Sequence, residues 1–171
     1  IKNNMNGKSF RIVILLAFLL TNITLFSQTV GYSHKPFASE ACSMEYSVSK
    51  LDSAYYIIAT VKSARLTFLH ESVLMIRTFN DDVIKITGVN IGDGSKTTGI
   101  CAGNVIVPVT EIRSTAQFPV TPEQFEMIKS VVAKIRLSTT PIVHEKSFKK
   151  DKIGAKLYKF YINAKEKDET F

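Results

Sequence analysis

The chain has 171 residues, of which 45% are hydrophobic, and a formal net charge of +7. This length suits one folded domain, and the apolar content is that of a globular protein, which argues against intrinsic disorder. Lys2, Lys8 and Arg11 lie in an N-terminal segment that we expect to be removed, so the charge falls from +7 to about +4. That balance excludes the strongly basic signature of a nucleic-acid-binding protein.

The N-terminal segment has the three parts of a secretory signal. Lys8 and Arg11 precede an apolar stretch at residues 12–26, and small residues that suit a signal peptidase follow it. We therefore predict a signal peptide and cleavage region over residues 1–33, with the cut between Ser27 and Ser33. The protein is then exported, either to the periplasm or to the medium.

A retained membrane anchor is the alternative for residues 12–26. A spanning helix needs about 20 predominantly apolar residues, and this stretch approaches that length only by including Thr21, Asn22 and Thr24. A lipoprotein is disfavoured because Cys42, the first cysteine, lies well beyond the apolar run. Met5 is the expected initiator.

The rest of the chain predicts a linker at residues 34–43 and one domain at residues 44–171. Period-2 alternation from residue 44 to 48 is typical of a half-buried strand. A longer β-prone run covers residues 54–69, and its alternation changes phase near Lys62 and Ser63, which predicts a bulge or a break there.

Further strands are predicted at residues 72–79 and 83–91, joined by a polar turn at Asn80, Asp81 and Asp82. Glycine, serine and threonine dominate residues 92–103, which predicts a loop. The chain then continues as a bent or broken strand over residues 104–120. Pro108 places its part of this strand at an edge or a bulge, because proline has no donor for the ladder.

The clearest local signal is a helix start at Thr121. Pro122 occupies the first helical position and Gln124 lies three residues after the cap, which is the pattern of a capping box. Helical spacing continues through Phe125, Ile128, Val132 and Ile135. A strand is predicted at residues 135–143. A last helix is predicted to begin between residues 148 and 151, with an apolar stripe formed by Ile153, Leu157, Tyr161 and Ala164.

This element order predicts an α+β domain, with an antiparallel sheet of about five to seven strands and two C-terminal helices packed on it. Two cysteines enter an oxidising compartment together, so a Cys42–Cys101 disulfide is one hypothesis and two unpaired thiols the other.

No catalytic motif, metal site or cofactor site is predicted. The chain has no pair of ligands at zinc-binding spacing, and residues 92–99 lack the glycine–lysine order and the following helix of a phosphate-binding loop. Residues 80–82 offer too few oxygen ligands for calcium. His144 and Glu145 could form half of an acid–base pair, but a surface histidine at a strand end is the simpler interpretation.

A lysine-rich segment is the strongest charge cluster in the chain. Its simplest interpretation is a solvated helix face, and its functional interpretation is a contact surface for an acidic partner, a lipid headgroup or a polyanionic glycan. The predicted contact residues are Lys149, Lys150, Lys152, Lys156 and Lys159.

Four segments together resemble small exported proteins of Bacteroidetes-type bacteria. These are the Leu-Phe-Ser-Gln at residues 25–28, the His-Glu-Ser-Val-Leu-Met-Ile at residues 70–76, and residues 121–137 and 148–154. The resemblance covers most of the mature chain. It implies a compartment and a domain type and brings no catalytic residue with it.

Three functions follow as hypotheses. The first is a non-catalytic exported binding or interaction module, whose partner is an anionic envelope component or another envelope protein. The second is a small periplasmic hydrolase in which His70 or His144 meets an acid only in the fold. The third is a membrane-tethered structural protein, which requires that the N-terminal segment is retained.

Overall fold

The computed structural model describes residues 28–37, 40–64, 68–129 and 131–166. Residues 1–27 of the predicted signal peptide and cleavage region (residues 1–33) lie outside these ranges. The described chain forms an α+β domain of two antiparallel sheets and two helices, so the predicted fold class is confirmed. The sequence predicts one sheet of about five to seven strands. The described residues instead form two sheets, one of five strands and one of four.

The larger sheet has the strand order β1-β2-β3-β7-β6, and every neighbouring pair is antiparallel. Its members are β1 (Val30–Phe37), β2 (Glu40–Leu51), β3 (Ala54–Ser63), β6 (Val89–Ala102) and β7 (Val105–Val120). β3 ends at Ser63, where the change of phase predicted a break. The inner face of this sheet is apolar at alternate positions, as the alternation of β2 and β3 predicts.

The predicted linker at residues 34–43 is wrong, because β1 and β2 occupy most of it. The mixed polarity of this segment gives no strand pattern, although its residues form two paired strands. The pairing of β1 with β2 begins at Val30, which lies opposite Tyr46. Val30 is buried, so the sheet begins within the predicted cleavage region. Cleavage after Ser27 leaves β1 whole, whereas a cut between Gly31 and Ser33 would remove Val30 from the core.

The smaller sheet has the order β5-β4-β8-β9. Its strands are β4 (Val73–Thr78), β5 (Val83–Thr87), β8 (Val132–Ser138) and β9 (Val143–Ser147). The predicted polar turn at residues 80–82 joins β4 to β5, and Asp81 adopts a positive φ of 68° there. The predicted strand at residues 135–143 is two strands instead, because the chain turns between them at Pro141.

Residues 92–103 are not the predicted loop. They complete β6, which pairs with β7 from Val89 to Ala102 and closes through a two-residue turn at Gly103 and Asn104. Gly103 has a φ of +63°, which glycine adopts without steric cost at the first position of such a turn. The distal part of this hairpin extends beyond the two sheets with both faces exposed. We call residues 92–112 the β-arm.

Helix α1 (Pro122–Ile128) begins where the sequence predicts it. Gln124 donates its backbone N–H to the Thr121 hydroxyl at 3.3 Å, and its side-chain oxygen accepts from the Thr121 N–H at 3.0 Å. The helix is shorter than the periodicity predicts, since Val132 and Ile135 belong to β8 and lie opposite β4. β-branched residues at positions 131 and 132 favour the strand, and pairing with β4 fixes it.

Thr121→Ala should lower the free energy of unfolding by about 1 kcal/mol, because an amide of the first turn loses its acceptor. Urea unfolding followed by circular dichroism measures the loss. Thr121→Ser keeps the hydroxyl and should leave the midpoint nearly unchanged. An alanine variant as stable as the wild type would contradict the role of this cap.

Helix α2 (Gly154–Glu166) begins three residues after the end of the predicted start region and packs against β2 and α1. Ile153, Leu157 and Tyr161 are buried, as the helical stripe predicts. The Tyr161 ring stacks on Phe125 of α1 with 4.5 Å between the ring centroids and an interplanar angle of 7°. Neither helix in the described ranges is long and apolar enough to cross a membrane.

A basic cleft as the candidate functional site

A cleft of about 610 Å³ opens between the edge strand β1, the end of β9 and the segment that leads into α2. It is within the range of volumes that hold small ligands. Its walls combine aromatic rings with lysine side chains. The lining residues are Gly31, Tyr32, Ser33, Lys146, Ser147, Phe148, Lys149, Lys150, Lys152 and Ile153.

Two aromatic side chains give the cleft apolar wall surface. Tyr32 and Phe148 meet edge to face, with ring centroids 5.8 Å apart and an interplanar angle of 74°. The Tyr32 hydroxyl lies 3.3 Å from the hydroxyl of the buried Tyr46, and either can donate. Burial raises the pKa of Tyr32 to about 12, so the phenol stays neutral at physiological pH and adds no negative charge to the cleft.

Asp151 holds the lysine-bearing segment in place. Its carboxylate accepts the backbone N–H groups of Gly154 at 2.9 Å and Ala155 at 2.8 Å, which caps the first turn of α2. It also accepts the N–H of Val132 at 3.1 Å, at the start of β8. Backbone amides therefore occupy the carboxylate, and Asp151 is not among the residues that line the cleft.

The charged residues that line the cleft are all positive. Lys146, Lys149, Lys150 and Lys152 line it, and none of the four forms an ion pair with a carboxylate in the described part of the chain. No aspartate or glutamate is among the lining residues. Four lysine residues around one concavity favour a negatively charged ligand.

All five lysines of the predicted contact surface are exposed. The fold divides them, because Lys149, Lys150 and Lys152 line the cleft while Lys156 and Lys159 lie on α2 outside it. Lys146 joins the cleft from β9. Tyr32 was not predicted at this site, since nothing local in the sequence indicates that β1 lies beside the lysine segment.

The hydrolase hypothesis requires a histidine that can activate a nucleophile. His70 Nε2 lies 3.6 Å from Asp93 Oδ2. The hydroxyl of the buried Ser114 donates a hydrogen bond to Asp93 Oδ1. Asn90 donates to the same carboxylate at 3.0 Å. These hydrogen bonds, from Ser114 first and Asn90 second, lower the pKa of Asp93, and the nearby His70 lowers it further.

This arrangement has the wrong order for nucleophilic catalysis. In a Ser–His–acid triad the histidine lies between the hydroxyl and the acid, whereas here Asp93 lies between Ser114 and His70. Ser114 Oγ also accepts the backbone N–H of Leu69 at 2.9 Å. The group therefore connects the Leu69 segment to the root of the β-arm.

His144 is not the predicted surface histidine. It is completely buried in β9, where it pairs in register with Leu137 of β8. The alternation of β9 turns His144 inward and its neighbour Glu145 outward to an ion pair with Lys134 at 2.8 Å. The two residues thus lie on opposite faces of the strand and cannot work as an acid–base pair.

The hypothesis of a Cys42–Cys101 disulfide is wrong in this structure, where both cysteines are thiols. Cys42 is buried in β2 and donates to Ser63 Oγ at 3.3 Å. Cys101 is exposed near the tip of the β-arm, beyond the body of the sheet. Because the β-arm holds Cys101 away from the core, the two thiols cannot meet.

The described residues contain no group of three or more histidine, cysteine or acidic side chains that could hold a metal ion. Residues 92–99 continue as a strand, so they lack the helix that a phosphate-binding loop requires. Comparison of the chain with protein families, with curated proteins and with solved structures finds no match.

Proposed function

We propose that the protein is an exported, non-catalytic binding module whose basic cleft holds an anionic sugar headgroup, either free or carried on a lipid. The observation that carries this proposal is the convergence of Lys146, Lys149, Lys150 and Lys152 beside an aromatic wall, with no acid in the lining. The proposal of export rests on the basic, apolar and small-residue parts of residues 1–33.

The two kinds of lining residue explain the choice of ligand. Lysine attracts sulfate, phosphate or carboxylate as a compact point charge that can adjust its position. Tyr32 and Phe148 offer apolar ring surface to the carbon atoms of a sugar. A simple anion would use the lysines alone, and a neutral sugar would use the rings alone, so a charged sugar matches the cleft better than either.

Binding should depend on both charge and salt. We expect isothermal titration to detect a sulfated oligosaccharide and to detect little or no binding of the same oligosaccharide without its sulfates. The affinity should fall as salt rises from low to physiological concentration, where charges are screened over about 8 Å. Sedimentation with phosphatidylcholine vesicles, with and without an anionic glycolipid, distinguishes the two sources of the headgroup.

Binding to the sulfated oligosaccharide alone would assign a free glycan, and binding only to the glycolipid vesicles would assign a lipid-carried one. Equal affinity for the sulfated and desulfated oligosaccharides would contradict the role of the lysines. Absence of binding to every anionic probe would overturn the proposal.

A further inference from the structure

The β-arm carries a stretch of exposed apolar residues. No charged residue occurs between Thr97 and Thr110, and both strands are exposed on both faces there. A hairpin of two strands alone is only marginally stable in water. The large exposed aliphatic residues of this stretch are Ile100 at 54%, Val105 at 63%, Ile106 at 70%, Val107 at 44% and Val109 at 39% exposure.

Only one edge of the β-arm is open to a further strand. Ala102 and Val105 flank the two-residue turn and therefore form a hydrogen-bonded pair, and such pairs alternate along the ladder. Gly99 and Pro108 then form a non-hydrogen-bonded pair, so the backbone nitrogen of Pro108 points to the outer edge of β7. Pro108 blocks that edge, whereas β6 contains no proline.

We propose that β6 pairs antiparallel with β6 of a second copy, with the two-fold axis at Thr97. Antiparallel pairing of a strand with itself is symmetric, so it closes a dimer and consumes the open edge of both β-arms. An axis at Thr97 overlaps residues 92–102 of the two copies completely. In the non-hydrogen-bonded pairs of the β-arm, the β6 residues point their backbone N–H and C=O groups outward. With this axis, these residues of the two copies lie opposite each other and can form the new hydrogen bonds.

The side chains along β6 suit this register. Asp93 lies opposite Cys101 of the second copy, and Lys96 lies opposite Thr98, so no like charges stand directly opposite each other. Gly94 lies opposite Ile100 of the second copy, which gives the larger side chain room. The strand carries one acid and one base, so two copies approach without net repulsion.

The same register brings exposed apolar residues at the root of β6 beside the second copy. The tip of each β-arm reaches the root of the other, where Val89 is 62% exposed and Ile91 is 50% exposed. A lipid bilayer is a poorer partner for a single β-arm, because the open edge of β6 would leave backbone N–H and C=O groups unpaired in the hydrocarbon. A second copy of β6 pairs these backbone groups, which lipid cannot do.

Thr97 and Thr110 supply a matched pair of positions for cross-linking. Their hydroxyls lie 2.8 Å apart on one face of the β-arm, Thr97 on β6 and Thr110 on β7. In the proposed dimer the two Thr97 Cα atoms are about 5.5 Å apart, which a disulfide can span. The two Thr110 positions are separated by three strand spacings, or about 14 Å, which it cannot span.

The test uses Thr97→Cys and Thr110→Cys, each combined with Cys101→Ser. Under mild oxidation we expect a disulfide-linked dimer from Thr97→Cys and almost none from Thr110→Cys. Light scattering should show a concentration-dependent dimer for the wild type. Thr97→Pro should be monomeric and folded by circular dichroism, because residue 97 donates outward and the internal ladder of the β-arm keeps its hydrogen bonds.

Equal cross-linking of both cysteine variants would overturn the proposal, since it would mean that the faces or tips of the β-arms associate instead of the β6 edges. A wild type that stays monomeric up to its solubility limit would also overturn it. Vesicle binding by that monomer, lost in Ile106→Asp, would assign the β-arm to a lipid surface instead.

Discussion

Gly154→Ala should destabilise the domain by about 2–3 kcal/mol, because the added methyl group has no room. A Cβ atom at this position would lie 2.2 Å from the carbonyl oxygen of Ile128 and 2.8 Å from Val132 Cγ2. The first contact is with backbone at the end of α1, so it cannot be relieved by turning a side chain. The start of α2 would have to move away from α1 and β8.

The stabilisation expected from the helix preference of alanine is smaller than this steric cost. Alanine is favoured over glycine within a helix by about 1 kcal/mol, but Gly154 is the first residue of α2, where less of that preference applies. The Cβ would also lie 2.9 Å from Asp151 Oδ1, the oxygen that accepts the Gly154 N–H. We therefore expect displacement of the cap as well as of the helix, and a net loss.

Gly92→Ala is the matched control, because a Cβ there meets nothing within 4 Å. Chemical unfolding should place this variant within about 0.5 kcal/mol of the wild type, or slightly above it, since alanine restricts the unfolded chain. A Gly154→Ala variant as stable as Gly92→Ala would contradict the close packing of α1, β8 and α2.

The parts of the fold that local chemistry determines are predictable from the sequence. The capping box at Thr121 and the polar turn at Asp81 depend on residues within a few positions, and both form as predicted. The α2 stripe through Leu157 and Tyr161 is also correct, because helical spacing alone places these side chains on one face.

Errors occur where pairing or burial decides between two local possibilities. Residues 92–103 lack alternation because both faces of the β-arm are exposed, and only the register with β7 makes them a strand. Val132 and Ile135 fit helical spacing, but they pair with β4. His144 directly follows the predicted strand at residues 135–143, which favours a surface position at a strand end, whereas the pleat of β9 directs it into the core.

The sequence predicts the lysines of the candidate site but not the cleft that they line. The sequence indicates a basic surface around Lys149, Lys150 and Lys152, and these side chains are exposed as a helix-flanking segment suggests. It does not indicate a concavity, because the opposite wall comes from Tyr32, more than a hundred positions away in the chain. Only the packing of β1 beside the end of β9 brings the two together.

Replacement of the three lysines in the segment before α2 should weaken binding of an anionic sugar by about thirtyfold. Lys149, Lys150 and Lys152 line the cleft and are exposed, so water weakens the electrostatic attraction of each ammonium group to an anionic ligand. A loss of about 0.7 kcal/mol for each, as expected for charges near a protein surface, gives about 2 kcal/mol in total. Glutamine keeps much of the side-chain length and removes the charge, so folding should be nearly unchanged.

Three lysines of α2 provide the control. Lys156, Lys159 and Lys165 are exposed and do not line the cleft. Their replacement by glutamine removes the same net charge from a neighbouring surface. Any effect of overall charge alone will therefore weaken both triple variants equally.

Titration of the two triple variants with the sulfated oligosaccharide at physiological salt tests the cleft most directly. We predict about a thirtyfold loss of affinity for the variant with Lys149→Gln, Lys150→Gln and Lys152→Gln. The variant with Lys156→Gln, Lys159→Gln and Lys165→Gln should stay within about threefold of the wild type, because these charges act only at long range. Equal losses in both variants would contradict a site in the cleft and would reduce the lysines to a diffuse basic surface.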